Sequence, residues 1–267
     1  MAEYDVIIIG GGTAGFSAGM YSSRLGMKTL LVERLIPGGQ IINVERIEDY
    51  PGLPDGISGA DFSSKVQEQA IASGTEFAMS EVTGIRKSGQ EWIVDTYDGE
   101  KASKSVIIAS GSTLNKLNVP GENELVGAGV SYCATCDGAF FIDQNVCVVG
   151  GGDSALQEAL TLTEFASNVD LFCRSSSLHA QQTLQDRITD HKKIQVHLNV
   201  EVQEIHGDGM VDGISLLQTL SGESTRVNID GVFIFVGLIP NTDYLQNFLG
   251  TDESGHIKTD INLQTSE

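Results

Sequence analysis

The stretch Asp5-Val6-Ile7-Ile8-Ile9-Gly10-Gly11-Gly12-Thr13-Ala14-Gly15 lines up with Asn145-Val146-Cys147-Val148-Val149-Gly150-Gly151-Gly152-Asp153-Ser154-Ala155. The offset, 145 minus 5, is 140 residues, and it holds without gaps through the residues beyond each glycine run. Residues 16–27 and 156–167 both read as helices. Lys28-Thr29-Leu30-Leu31-Val32-Glu33 then faces Asn168-Val169-Asp170-Leu171-Phe172-Cys173, each an apolar strand. Each copy is therefore strand, glycine turn, helix and second strand, the βαβ unit of a dinucleotide fold. One such glycine turn is a weak signal; two in the same context are a strong one.

The turn has a specific physical logic. Gly10 and Gly150 permit the tight bend, and Gly12 and Gly152 let backbone N–H groups approach a pyrophosphate. Gly15 and Ala155 are small enough for helix and strand to pack closely. Thr13, Ala14, Asp153 and Ser154 complete the two loops. The strand ends separate the sites. Glu33 stands where an acid hydrogen-bonds a ribose diol, whereas Cys173 holds that place in the second copy and Arg174 follows it. A missing acid beside an arginine suits a 2′-phosphate, hence NADP rather than NAD. Arg34 occupies the matching place in the first copy, so a plain strand-end residue is the alternative for Arg174.

The rest of the chain fills two similar domains. Residues 61–73 look helical, and residues 76–110 look like short strands with a hairpin at Asp98-Gly99 and a closing apolar strand over 106–111. Residues 195–236 repeat that β-rich pattern with turns near Asp208-Gly209 and Ser221-Gly222. Hinges are expected near 112–120 and 238–246.

Composition narrows the function. The chain has 267 residues, of which 40% are hydrophobic, so a sizeable core can form. Thirty-six acids against 16 bases give a net charge of −20. Phosphate-backbone binding needs clustered Lys and Arg, and an anionic membrane surface would repel this chain, so neither nucleic acid nor membrane is an expected partner. No apolar run approaches the roughly 18 residues of a membrane span. Residues 6–9 are a short apolar run with glycines immediately after it, which reads as a strand and not as a secretion signal. The expected compartment is the cytoplasm.

Of four cysteines, Cys133 and Cys136 form the C-x-x-C of Cys133-Ala134-Thr135-Cys136-Asp137-Gly138. Zinc needs four ligands, and the remaining cysteines, Cys147 and Cys173, sit in core strands, so no metal is expected. A dithiol cycling to a disulfide suits the spacing better. Asp137 can hold or relay a proton to a leaving thiolate. Residues 117–173 contain no Lys or Arg to steady a thiolate, which makes an electron-accepting flavin a natural partner. A pair of inert buried cysteines is the bland alternative.

These residues resemble the low-molecular-weight thioredoxin reductases, flavoproteins of the two-dinucleotide-binding-domain class. The carriers are Gly10 to Gly15, Pro37-Gly38-Gly39-Gln40, Ile47-Glu48-Asp49-Tyr50-Pro51-Gly52, Ala109-Ser110-Gly111, the Cys-Ala-Thr-Cys-Asp run, Gly150 to Ala155, and Gly231-Val232-Phe233 on to Pro240-Asn241. The resemblance implies an α/β fold of two Rossmann-like dinucleotide-binding domains, the second inserted in the first. It divides the chain into an FAD domain, 1–113 plus 245–267, and a pyridine-nucleotide domain, 114–244, that carries the dithiol and rotates on its hinges.

By resemblance, the first glycine turn and Glu33 hold FAD, with Gly38, Gly39, Gln40 and Asp49 toward the flavin, Val82 near the adenine, and Ala109, Ser110 and Gly111 closing the site. Cys136 faces the flavin, Cys133 attacks the thioredoxin disulfide and Asp137 is the acid/base. A homodimer is implied. The chain departs from the family in three places. The phosphate-reading His-Arg-Arg-x-x-x-Arg pattern is here Cys173-Arg174-Ser175-Ser176-Ser177-Leu178-His179, which leaves NADPH, NADH or another donor such as reduced ferredoxin open. Asp49 stands where the family usually has Asn. The family pattern also continues past Gln264-Thr265-Ser266-Glu267 into a second FAD-contacting segment, so the FAD domain is expected here without that segment. The expected activity is flavin-dependent reduction of a protein disulfide of the thioredoxin type. A thiol oxidase working through the same groups and a non-catalytic flavin-binding redox sensor are its rivals.

Overall fold

A computed structural model describes residues 2–245 and 248–267. The chain divides into two compact units, Met1–Thr113 with Ile239–Glu267, and Leu114–Leu238. Both are built on a parallel sheet.

In the first unit the strands are β1 (Tyr4–Ile9), β2 (Thr29–Glu33), β3 (Glu76–Met79), β4 (Val82–Ser88), β5 (Glu91–Thr96) and β6 (Gly99–Ile108), with helices α1 (Thr13–Arg24) and α2 (Gly59–Ala72). They form one sheet in the order β3-β2-β1-β6-β5-β4. The strands β3, β2, β1 and β6 run parallel, and β6, β5 and β4 form an antiparallel meander. The run Val6–Ile9 is buried throughout because β1 lies between β2 and β6 with apolar clusters on both faces of the sheet. The meander and the closing apolar strand expected over 106–111 prove to be one continuous element. Ser103 pairs with Trp92 on one side and Tyr4 on the other, so β6 passes from one pairing to the next without a break.

The short strand β7 (Ser112–Leu114) leads from the first unit into the second. The elements of the second unit are β8 (Val130–Ser131), α3 (Ala134–Asp137), β9 (Asn145–Val149), α4 (Asp153–Leu162), β10 (Asn168–Cys173), α5 (Gln182–Thr189), β11 (Ile194–Leu198), β12 (Val200–Gly207), β13 (Val211–Gln218), β14 (Ser224–Val227) and β15 (Gly231–Ile234), before β16 (Leu238–Pro240). The parallel sheet runs β11-β10-β9-β15-β8, and β12-β13-β14 form a separate antiparallel sheet. Here the meander does detach. Asn228-Ile229-Asp230 interrupt the chain between β14 and β15, where the first unit has the unbroken β6.

The sequence repeat is a repeat of register. Val6 pairs with Thr29 and Ile9 with Val32, while Val146 pairs with Val169 and Val149 with Phe172. Both helices begin earlier than their apolar periodicity suggests, at Thr13 and Asp153, inside the glycine motifs. Gly12 and Gly152 are extended N-cap residues without a side chain to cap the helix, so the first turn is exposed backbone N–H. Gly26, at φ 81°, lies just past the end of α1 in the left-handed region that a helix stop of this kind uses.

Candidate active site

Three local structures gather the residues that the sequence singles out: two glycine-turn clefts and one dithiol turn. In the first cleft Gly10 has φ 108°, and a Cβ there would overlap the Ala109 carbonyl oxygen. A Cβ on Gly15 would overlap the Gly10 carbonyl oxygen, so helix α1 sits directly on the turn. The second copy has Ala155 at that place, and its Gly150 takes φ 151° where Gly10 takes 108°. Around Gly12 the backbone is uncrowded, since a Cβ there would meet only the Gly38 carbonyl oxygen, 4.0 Å away.

The Glu33 carboxylate accepts the Gly11 N–H at 2.6 Å and the Leu35 N–H at 2.9 Å. An ionised carboxylate has about four acceptor sites, so acceptor capacity remains for a diol. Glu33 lines a cavity of about 260 Å³ together with Gly10, Val82 and Ser110. Ser80 and Tyr244 also line it, and no sequence motif marks either. Their hydroxyl oxygens are buried without a hydrogen-bond partner among the described residues. Ala109 forms the wall behind Gly10, and Gly111, at φ 62°, accepts the Asn241 N–H at 3.0 Å. A bare helix N-terminus, an acceptor-only acid and unpaired hydroxyls together fit an adenine dinucleotide.

The remaining expected FAD residues lie outside that cavity. Gly38, at φ 124°, bridges to Gly12 and donates its N–H to the Gly11 carbonyl at 2.7 Å. Gly39 packs so that a Cβ would lie 3.3 Å from Gly12 Cα. Gln40 donates from Nε2 to the Ser112 carbonyl at 3.1 Å, and Asp49 is exposed. The glycines thus shape the helix N-terminus.

The second cleft is a cavity of about 490 Å³ lined by Gly150 through Ala155, Cys173, Arg174 and His179. His179 donates its N–H to the Gly151 carbonyl at 2.7 Å, as Gly38 does to Gly11 in the first unit. The Cys173 sulfur takes the place of the Glu33 side chain and would overlap a Cβ on Gly151. Asp153 turns its carboxylate onto Gln181, accepting the backbone N–H at 2.6 Å. Lys116 also lines this cleft, from a connector that the βαβ pattern does not cover, and donates to Asn123 Oδ1 at 2.7 Å. Cys147 is fully buried, and burial first, then the nearby Asp170, holds its thiol well above the ordinary range.

The dithiol turn is a disulfide. Cys133 and Cys136 are bonded, with their Cα atoms 5.3 Å apart, across the single turn α3. Cys136 is exposed and Cys133 half-buried. The Cys133 sulfur caps the turn by accepting the Cys136 N–H at 3.1 Å. Three carboxylates grip the segment. Ser131, buried at the end of β8, donates its hydroxyl to Asp137 Oδ2 at 2.6 Å and accepts the Cys133 N–H at 3.1 Å. Glu158 on α4 accepts the Ala134 N–H at 2.7 Å. Glu122, fully buried, accepts the Tyr132 hydroxyl at 2.7 Å and the N–H groups of Leu117 and Asn118. Burial, then that bond to Glu122, raises the Tyr132 phenol above the usual tyrosine range. Glu158 gives no signal in the sequence because it reaches the turn from 24 residues away, and Ser131 and Glu122, though close in the chain, stand outside the C-x-x-C motif.

A disulfide turn and two dinucleotide-shaped clefts in one chain define a class, and the comparison with known proteins agrees. The family model described as pyridine nucleotide-disulphide oxidoreductase matches residues 4–267. The chain belongs to that family. This pyridine nucleotide-disulphide oxidoreductase is 43% identical over 263 residues to the thioredoxin reductase of Bacillus subtilis (strain 168), covering 98% of this chain and 83% of that protein. It is 38% identical over 264 residues to the thioredoxin reductase of Treponema pallidum (strain Nichols), covering 99% and 86%. Among solved structures, the Lactococcus lactis thioredoxin reductase superposes with a TM-score of 0.96 at 44% identity, covering 99% of this chain and 88% of that one. The T. acidophilum enzyme gives 0.94 at 33%, covering 99% and 87%. The protein is an oxidoreductase with the two-Rossmann architecture of thioredoxin reductases. Among the described residues there is no cluster of three or more His, Cys, Asp or Glu side chains arranged to hold a metal ion, and no helix long and apolar enough to cross a membrane.

Proposed function

We propose that this oxidoreductase is a flavin-dependent disulfide reductase acting on thioredoxin or a thioredoxin-like protein. The observation that carries the reading is the Cys133–Cys136 disulfide, set in a turn whose acid, Asp137, is already hydrogen-bonded in place. The names of the relatives supply the substrate class. The first unit would hold FAD through the α1 N-terminus and Glu33, and the second would hold a reduced pyridine nucleotide along Gly150 to Ala155. When bound, FAD relays an electron pair from a reduced nicotinamide to a disulfide.

The residues of the chain perform the thiol chemistry. With the pair reduced, the Cys133 thiolate attacks one sulfur of the substrate disulfide. A bond forms between Cys133 and that sulfur, and the other substrate sulfur leaves as a thiolate that Asp137 protonates. Cys136 then attacks the Cys133 sulfur, which re-forms the Cys133–Cys136 disulfide and releases the second substrate thiol. Ser131 holds Asp137 and the Cys133 backbone in one arrangement throughout, since its single hydroxyl touches both.

The donor is assigned to the second cleft, with Arg174 as the group that meets a 2′-phosphate. Arg174→Ala should raise KM for NADPH by about tenfold or more, from the loss of one charge-assisted hydrogen bond, and leave KM for NADH within about twofold. Steady-state kinetics with both nucleotides checks this. An equal change for the two would show that Arg174 does not read the phosphate.

A further inference from the structure

We propose, resting on the reading of the Glu33 cleft as the FAD site, that the hydroxyls of Ser80 and Tyr244 hydrogen-bond the adenosine end of the dinucleotide and so select FAD over flavin mononucleotide.

The two residues reach the cavity from distant parts of the chain. Ser80 lies directly after β3, and its N–H donates to the Glu33 carbonyl at 2.8 Å, which fixes it beside the strand end that carries the acid. Tyr244 lies in the single 3-10 turn Asp243–Leu245. That turn is tied to the end of β6 by a reciprocal pair: Ser110 Oγ donates to the Asn241 carbonyl at 2.8 Å, and Asn241 Nδ2 donates to the Ser110 carbonyl at 2.9 Å. Ser110 has therefore already committed its proton. Burial raises the Tyr244 phenol, with Ser110 nearby acting the other way, and the hydroxyl still has no partner of good geometry.

A buried hydroxyl without a partner is costly, and native proteins keep few of them. Only Ser80 Oγ, Ser103 Oγ, Gln218 Oε1 and the Tyr244 hydroxyl are of this kind among the described residues, and two of the four line one cavity. Glu33 lines the same cavity and can only accept, which suits a ribose diol. A hydroxyl both donates and accepts, which suits adenine with its ring-nitrogen acceptors and its exocyclic amine. Val82 adds an apolar wall for the ring. Flavin mononucleotide carries no adenosine, so it cannot use either hydroxyl.

The test is flavin binding by the whole chain after removal and return of the flavin, followed by fluorescence quenching, for wild type, Ser80→Ala and Tyr244→Phe. Each variant should raise Kd for FAD by about threefold to tenfold, the range of one neutral hydrogen bond, and leave Kd for flavin mononucleotide within about twofold. The flavin-free Tyr244→Phe protein should melt no lower than wild type, because the change removes a hydroxyl that had no protein partner. Unchanged FAD affinity, a parallel loss for both flavins, or a flavin-free variant that melts several degrees lower would overturn the proposal. Failure of the cleft reading looks different. Wild-type protein that binds no FAD, or a Glu33→Ala variant that binds it as tightly as wild type, would remove both the reading and the proposal.

Discussion

Replacing Cys133 with Ser is expected to lower reduction of a thioredoxin-type disulfide by at least about 10³-fold, the scale seen when an enzyme loses its nucleophile. A serine hydroxyl is not ionised near neutral pH and cannot form a disulfide, so both the attack and the return to the Cys133–Cys136 bond are lost. Reduction of the bound flavin by the donor should continue, since Cys133 lies outside the residues assigned to either nucleotide. Cys136→Ser should behave differently. It leaves Cys133 able to attack and removes the thiol that resolves the product, so a covalent conjugate with the substrate accumulates. Exposure alone would favour Cys136 as the attacking group, because it is the more accessible of the two. The hydrogen bond from the Cys136 N–H to the Cys133 sulfur argues for Cys133, since a donor aimed at sulfur stabilises a thiolate there. Intact mass measured after mixing each variant with a single-cysteine substrate disulfide decides the matter. Conjugate on Cys133→Ser and none on Cys136→Ser would reverse the two assignments.

Asp137→Asn is expected to reduce turnover by about 10²-fold, the lower range for removal of a general acid, with little change in KM for the protein substrate. Asn keeps the shape and can still accept from Ser131, so the loss isolates the proton. Ser131→Ala should cost about tenfold by releasing the carboxylate from its 2.6 Å hydrogen bond. The two changes touch one network, and their effects should therefore not add. In the Asp137→Asn background, Ser131→Ala should lower kcat by less than about twofold. Multiplicative losses would mean that Ser131 supports the turn independently of Asp137.

The architecture was legible because the repeat is written in the residues that pair. An offset that aligns Val6 with Val146 and Thr29 with Val169 aligns two strand registers, so the parallel sheet comes with it. The glycine positions were legible for the same reason, since Gly10 and Gly15 meet backbone too closely for any side chain. Helix starts were not. Thr13 and Asp153 begin their helices beside extended glycines, and apolar periodicity carries no mark of a first turn that faces open space.

The site was legible where motif and contact coincide. Gly10, Glu33, Val82 and Ser110 come together around one cavity, and Cys133 and Cys136 are bonded. Groups that act across the fold left no trace in a linear pattern. Tyr244 reaches a cavity otherwise built from residues 9–110, save for Asn241 and Asp243 beside it. Glu158 reaches the dithiol turn from α4, and Lys116 enters the second cleft from a connector. Cys173 shows the opposite case. Its sequence position marked it as a core thiol, and it is both buried and part of the cleft wall, standing where the first unit has Glu33.

If one flavin and one disulfide work in series within this chain, an anaerobic reductive titration of the FAD-loaded protein shows it most directly. Flavin absorbance and free thiols are both measured at each addition. Wild type should take up two electron pairs per chain, one of which appears as two new thiols, and should return both to oxidised thioredoxin; Cys133→Ser should take up one. Wild type that takes up a single pair and gains no thiols, or that reduces thioredoxin as well without Cys133 as with it, would contradict the series arrangement.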